Sequence, residues 1–158
     1  PVDMVCAADM RYCTADAFFE VKETELGLAA DLGTLQRMPR LIAPGLAREL
    51  AYTARKMLAA EALQSGFVNR VFDDQDSMLA EVMQIAQQIA ERSPLAVTGT
   101  KQMMNYARDH SVADSLTMMA TWQAGMFQPT DMIQTFTAKM GKTTPDYEGL
   151  RPITEPLA

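Results

Sequence analysis

At 158 residues and 48% hydrophobic content, the chain is long enough to bury one domain core. A net charge of −6 without a basic run argues against a nucleic-acid surface, and no apolar run approaches a membrane span. Cys6 and Cys13, with no CxxC spacing and no cysteine–histidine cluster, read as buried thiols rather than a disulfide or zinc site.

The chain opens on PVDMVCAADMRY, which is neither a signal nor a transit peptide. It lacks an initiator methionine and enters apolar sequence at once, as a fragment would. Residues 2–8 read as a short buried helix, and aromatic and β-forming residues predict strands near 10–13 and 17–21. A helix is expected from Leu32 to about Leu41, kinked or ended by Pro39. Ala43-Pro44-Gly45 punctuates the chain before a second helix near 46–54. In AAEALQSGFVNRVF, a helical turn stops at Gly66 and a strand follows over 67–72.

The clearest periodicity lies over 78–90, where Met78, Val82, Ile85 and Ile89 share one face opposite Glu81, Gln84 and Gln88. Ser93-Pro94 is an N-cap and N1 pair for a helix reaching Tyr106. Further helices are expected from Ser111 or Val112 to Met126, and from Thr130-Asp131 to Met140. The thirteen methionines, at helical spacing, read as core filler. Three short strands cannot form a full sheet, so they are expected to need partners from elsewhere. The division expected is 1–75 as a mixed core and 76–158 as a helical region.

Three acids stand among apolar neighbours: Asp3, Glu23 and Asp31. Carboxylates in unlike environments are a common means of moving protons near neutral pH. With twenty acidic residues in the chain, the plain alternative is that these are solvated surface charges. Asp31 ends the apolar run Gly27-Leu28-Ala29-Ala30, and two readings stay open for it. It caps the helix that begins at Leu32-Gly33-Thr34, or its apolar neighbours strip its hydration and make the charged form costly. His110, the one histidine, has no serine elbow beside it and reads as structural.

The segments VDMVCAADMRYCTADAFFEVKETELGLAADLGTLQRMPRLI, TARKMLAAEALQSGFVNRVF, SPLAVTGTKQMM and ARDHSVADSLTMMATW resemble the enoyl-CoA hydratase/isomerase (crotonase) superfamily over nearly the whole chain. Within it, they are most similar to the dienoyl-CoA isomerases. Hydratases carry glutamates at the positions of Asp3 and Glu23 and a glycine at that of Asp31, whereas this chain has the isomerase-type set. The resemblance implies an α/β fold, the C-terminal part of a crotonase-like ββα spiral, helix-rich with a few short strands. It implies an isomerase that shifts the double bonds of a 3,5-dienoyl-CoA to the 2,4 positions in fatty-acid β-oxidation. In that role Glu23 is the base at C2, Asp31 the acid at C6, and Asp3 an auxiliary that polarises or orients.

In the family two backbone N–H groups hold the thioester oxygen, and losing one such donor costs on the order of a hundredfold. One comes from an upstream loop and the other from a glycine three residues before Asp3, a position ahead of Pro1. The resemblance therefore implies a C-terminal portion that is inactive alone. It also implies CoA contacts at Phe136 and Lys139, with Lys142 as an alternative for the lysine; core packing for Phe136 and a solvated lysine stay open beside that reading. Segment 116–127 would join a homotrimer or hexamer interface. No metal or redox cofactor is implied, CoA being part of the acyl-CoA substrate. The compartment stays open between bacterial cytoplasm, mitochondrion and peroxisome, and the ending TEPLA is not an SKL-type address. Enoyl-CoA hydratase activity and a non-catalytic helical association module remain the alternatives.

Overall fold

A computed structural model of the chain describes residues 2–150. Helix α1 (Val2–Ala7) is followed by strands β1 (Tyr12–Thr14) and β2 (Phe18–Phe19), and then a 3-10 turn over Glu23–Leu26. Helix α2 (Thr34–Arg37) runs into a second 3-10 turn at Met38–Arg40, and helix α3 spans Pro44–Thr53. Strand β3 (Met57–Leu58) leads directly into α4 (Ala59–Gln64), and β4 covers Arg70–Phe72. Four longer helices follow: α5 (Gln75–Ala90), α6 (Pro94–Tyr106), α7 (Val112–Met126) and α8 (Pro129–Gly141). The residues form two compact units, the first reaching Met83 and the second starting at Gln84 within α5.

The first unit holds the core. β1 pairs with β4 in parallel, with Tyr12 opposite Arg70 and Thr14 opposite Phe72, while β2 pairs antiparallel with β3. Val2, Cys6, Met38, Leu50, Met57 and Phe67 are buried between these strands and helices α1 to α4. Phe67 is 0% exposed and meets Phe19 edge to face at 4.9 Å, a favoured aromatic geometry. Arg70 forks onto Glu81 and so ties the second turn of α5 to β4. Arg55 reaches Glu49 at 2.7 Å and grips both oxygens of Glu61, which links the end of α3 to α4.

The helix expected over 32–41 is shorter for two reasons. Gly33 has φ +105° and stands outside the helix, and Pro39 has no N–H to continue the ladder. The strand expected over 67–72 is confined to 70–72, because Val68 donates back to the Ala62 carbonyl at 3.1 Å. β3, which the pattern reading lacks, is only two residues long and abuts α4 with no turn residue between.

The second unit packs differently. Gly99 and Ala138 are its only buried positions among the described residues. Its helices are set by capping: the Ser93 Oγ accepts from the Ala96 N–H, the Ser111 Oγ accepts from the Asp114 N–H, and prolines open α6 and α8. The Ser93 hydroxyl also donates to Asp131, joining the starts of α6 and α8. The methionines are not mainly core filler. Met38 and Met57 are buried, whereas Met83, Met104, Met118, Met132 and Met140 are exposed on this chain.

α6 and α7 approach closely at Gly99, where an added Cβ would lie 2.2 Å from the Trp122 ring, and Trp122 Nε1 donates to Gln102 Oε1 at 3.1 Å. Gly99→Ala is therefore expected to lower stability by about 1–3 kcal/mol through overpacking. Urea unfolding checks this, and Trp122→Leu in the same chain should recover part of the loss.

Candidate functional site

Asp3 lies in the first turn of α1 and is half-buried. Its Oδ1 accepts two bonds from one residue, the Thr34 backbone N–H at 3.1 Å and the Thr34 hydroxyl at 2.6 Å. Thr34 is 1% exposed, so both donors point into the protein rather than to water. The hydroxyl bond, helped by the amide and opposed by burial, holds the Asp3 carboxyl below the usual aspartate range. Asp3 is thus an ionised acceptor at neutral pH.

The segment bearing Asp31 is held from the other side as well. Arg37 folds back over Gly33 and donates from Nη1 to the Leu32 carbonyl at 3.1 Å. A Cβ on Gly33 would fall 2.0 Å from that same Nη1, so only glycine leaves the guanidinium its seat. Asp31 itself is exposed. Of the run before it only Ala30 is buried, while Leu28 is 62% and Leu32 is 73% exposed. The apolar side chains therefore flank Asp31 without enclosing it. Nor does Asp31 cap α2: the cap position is Gly33, and the acid that satisfies the first amide of the helix is the distant Asp3.

Glu23 opens the 3-10 turn and is half-buried, its carbonyl accepting from the Leu28 N–H at 2.9 Å. The next residue, Thr24, donates its hydroxyl to the Ala51 carbonyl of α3 at 2.8 Å and fastens that turn to the core. The structure links Asp3 to the Asp31 segment, and no hydrogen bond or ion pair joins the three carboxylates to one another among the described residues. A cavity of about 240 Å³ between α2 and α3 is lined by Thr34, Leu35, Met38, Ala47, Ala51 and Tyr52.

Phe136 and Lys139 belong to the second unit, one turn apart on α8. Phe136 is 59% exposed and so is not core, and Lys139 lines a cavity of about 200 Å³ with Arg92, Thr143, Thr144 and Tyr147. Lys142 ends α8 with φ +52°. His110 stacks on Tyr106 at 3.7 Å and its Nδ1 lies 2.9 Å from Asp109, a local surface arrangement. Cys6 and Cys13 are free and buried, and burial pushes the Cys6 thiol up to about 11, which keeps it from acting as a nucleophile. No cluster of three or more metal-ligating side chains occurs among the described residues, and no helix there is long and apolar enough to cross a membrane.

Residues missed by pattern reading are Thr34 and Arg37. The available signal was a helix whose cap position is glycine, which leaves an amide in need of a distant acceptor.

Residues 2–150 match the family model described as Enoyl-CoA hydratase/isomerase. The chain is 53% identical over 142 residues to the mitochondrial Delta(3,5)-Delta(2,4)-dienoyl-CoA isomerase of Mus musculus, covering 89% of this chain and 43% of that protein. It is 42% identical over 149 residues to the peroxisomal Delta(3,5)-Delta(2,4)-dienoyl-CoA isomerase of Arabidopsis thaliana, covering 94% of this chain and 54% of that protein. A probable enoyl-CoA hydratase/isomerase from Mycobacterium abscessus superposes with a TM-score of 0.85 at 28% identity, covering 93% of this chain and 58% of that one. An enoyl-CoA hydratase from Bacillus anthracis superposes with a TM-score of 0.84 at 31% identity, covering 92% of this chain and 56% of that one. The chain thus spans about half the length of the relatives it matches.

The Asp3 contact has a pH signature. Because folding lowers its pKa, Asp3 contributes stability above the ordinary aspartate range, and that contribution is lost as pH falls through the lowered value. Wild type should therefore exceed Asp3→Asn most at neutral pH, and the gap should close in acid, as read by urea midpoints across a pH series.

Proposed function

The chain belongs to the enoyl-CoA hydratase/isomerase family, and on that premise we propose that it carries the acid–base part of a dienoyl-CoA isomerase of fatty-acid oxidation. The observation that carries this reading is the likeness to named dienoyl-CoA isomerases across 89% of the chain. The acid set Asp3, Glu23 and Asp31 agrees with it.

In the proposed reaction the Glu23 carboxylate takes a proton from C2 of a 3,5-dienoyl-CoA. The electron pair moves along the chain: the C2–C3 double bond forms as the C3–C4 double bond opens, and the C4–C5 double bond forms as the C5–C6 double bond opens toward C6. Asp31 delivers a proton to C6, and a final exchange with solvent restores both carboxyl groups. Asp3, held ionised by Thr34, is an acceptor and not the donor. Leu28 and Leu32 flank Asp31 with exposed apolar surface on which an acyl chain could lie. In this reading the thioester oxygen also needs two backbone N–H donors, which none of the residues assigned here supplies. Phe136 and Lys139 contribute to CoA binding, the lysine as a point charge for phosphate. The first unit carries the acids and the second serves CoA covering and association. The dienoyl-CoA isomerases it matches are named for mitochondria and peroxisomes, and those two organelles are the compartments of this reading.

A hydratase reading is favoured by one observation, the superposition on proteins named enoyl-CoA hydratases. The two separate on one variant in the protein expressed from its complete reading frame. Asp31→Asn should lower turnover of 3,5-dienoyl-CoA by at least about a hundredfold while largely sparing 2-enoyl-CoA hydration. Equal activity on 3,5-dienoyl-CoA in both proteins removes Asp31 from the mechanism.

Exposed Leu116, Met118, Met119, Met132 and Ile133 on α7 and α8 suit self-association into a homotrimer or hexamer. Sedimentation equilibrium should return a mass that is a multiple of three protomers; a monomer at micromolar concentration rejects this assembly.

A further inference from the structure

We propose that Asp3 and Thr34 form the anchor that fixes the segment bearing Asp31, with Thr34 a positioning residue for the proton donor and Asp3 taking no part in proton transfer. The proposal rests on the reading of Asp31 as the acid, and it assigns Asp3 a different task from polarising substrate.

The two residues are 31 positions apart, yet Thr34 delivers its amide and its hydroxyl to a single Asp3 oxygen. Asp31 lies only three residues before that point of attachment. α2 is four residues long, too short to hold itself by its own hydrogen bonds, and its cap position is a glycine with no side-chain acceptor to offer. Without Asp3 the Thr34 amide would be buried and unpaired, and the start of α2 would have nothing to fix it. Arg37 grips the Leu32 carbonyl on the other side of Gly33. Two contacts, both charge-assisted, therefore bracket the residue between them, and Asp31 projects just beyond the bracket. Each bond to Asp3 is stronger to a carboxylate than to a neutral carboxyl, so a proton arriving there would weaken the anchor rather than advance the reaction. Cys6 of α1, with Arg37 and Arg11, is the further titratable or charged company around this point.

The test uses the protein from its complete reading frame with Thr34→Val, which keeps volume and removes the hydroxyl, and Thr34→Ser, which keeps the hydroxyl. Two readouts run side by side: isomerase kinetics, and hydrogen exchange at the amides of residue 34 and of Arg37, which donates to the Gly33 carbonyl. Thr34→Val should lower kcat at least about tenfold with KM within about threefold, and speed exchange at both amides at least about tenfold. Thr34→Ser should restore both. Unchanged exchange in a folded Thr34→Val protein overturns the anchor, as does failure of serine to restore it. Should Thr34→Val not fold, Asp3→Asn, which retains an acceptor oxygen but not the charge, is expected to show the same faster exchange at neutral pH. An unchanged rate there overturns the anchor equally. If wild type shows no isomerase activity while the exchange pattern holds, the isomerase reading falls and the anchor stands.

Discussion

The parallel pairing of β1 with β4 constrains the first unit more than any other contact. Parallel neighbours cannot be joined by a tight turn, so residues 15–69 must leave the sheet and return as a crossover. Every candidate group of that unit except Asp3 lies in this crossover. The pair is only three residues deep, and its ends are reinforced by other bonds. Asn69 accepts from the Arg11 N–H at 2.8 Å with its side chain and donates its own N–H to the Arg11 carbonyl at 2.7 Å. Beyond the other end the Ala15 N–H donates to Phe72 at 2.8 Å. Phe67 is buried just before the return strand, so the hydrophobic core and the ladder close at the same place.

The two units solve the burial problem in different ways. The first gathers its apolar side chains inward, and its charged residues stay near the surface as forked arginine pairs. The second rests on well-capped helices whose apolar faces remain largely open. Its α6–α7 contact depends on the absence of a side chain at Gly99, not on a filled interior. Helices of thirteen to fifteen residues draw part of their stability from packing of one face, so surfaces this apolar suit a partner.

Much of this was legible in the sequence where the signal is local. Ser93-Pro94 and Ser111 placed the starts of α6 and α7 because a cap is read from adjacent residues. Gly66 and Pro39 marked true interruptions. The resemblance carried the family, since it draws on the whole chain at once. What stayed hidden depends on approach between distant positions. β3 exists only because β2 runs beside it, and two residues have no periodicity to detect. The same limit applies at the site. Asp31 was a reasonable cap by type and position, but the acceptor that reaches α2 comes from α1, and no spacing rule connects Asp3 to Thr34. Apolar neighbours in sequence did not enclose Asp31 either, because Leu28 and Leu32 turn outward.

The seat of Arg37 over Gly33 has a consequence for how this stretch tolerates change. The residue allowed at position 33 is set twice over, by a left-handed backbone that disfavours side chains and by a guanidinium occupying the space one would need. A substitution at 37 would relieve the second prohibition and leave the first. Constraint at these two sites is therefore of different kinds: the backbone at 33 disfavours a side chain whatever stands at 37, whereas the arginine is held by its bond to the Leu32 carbonyl.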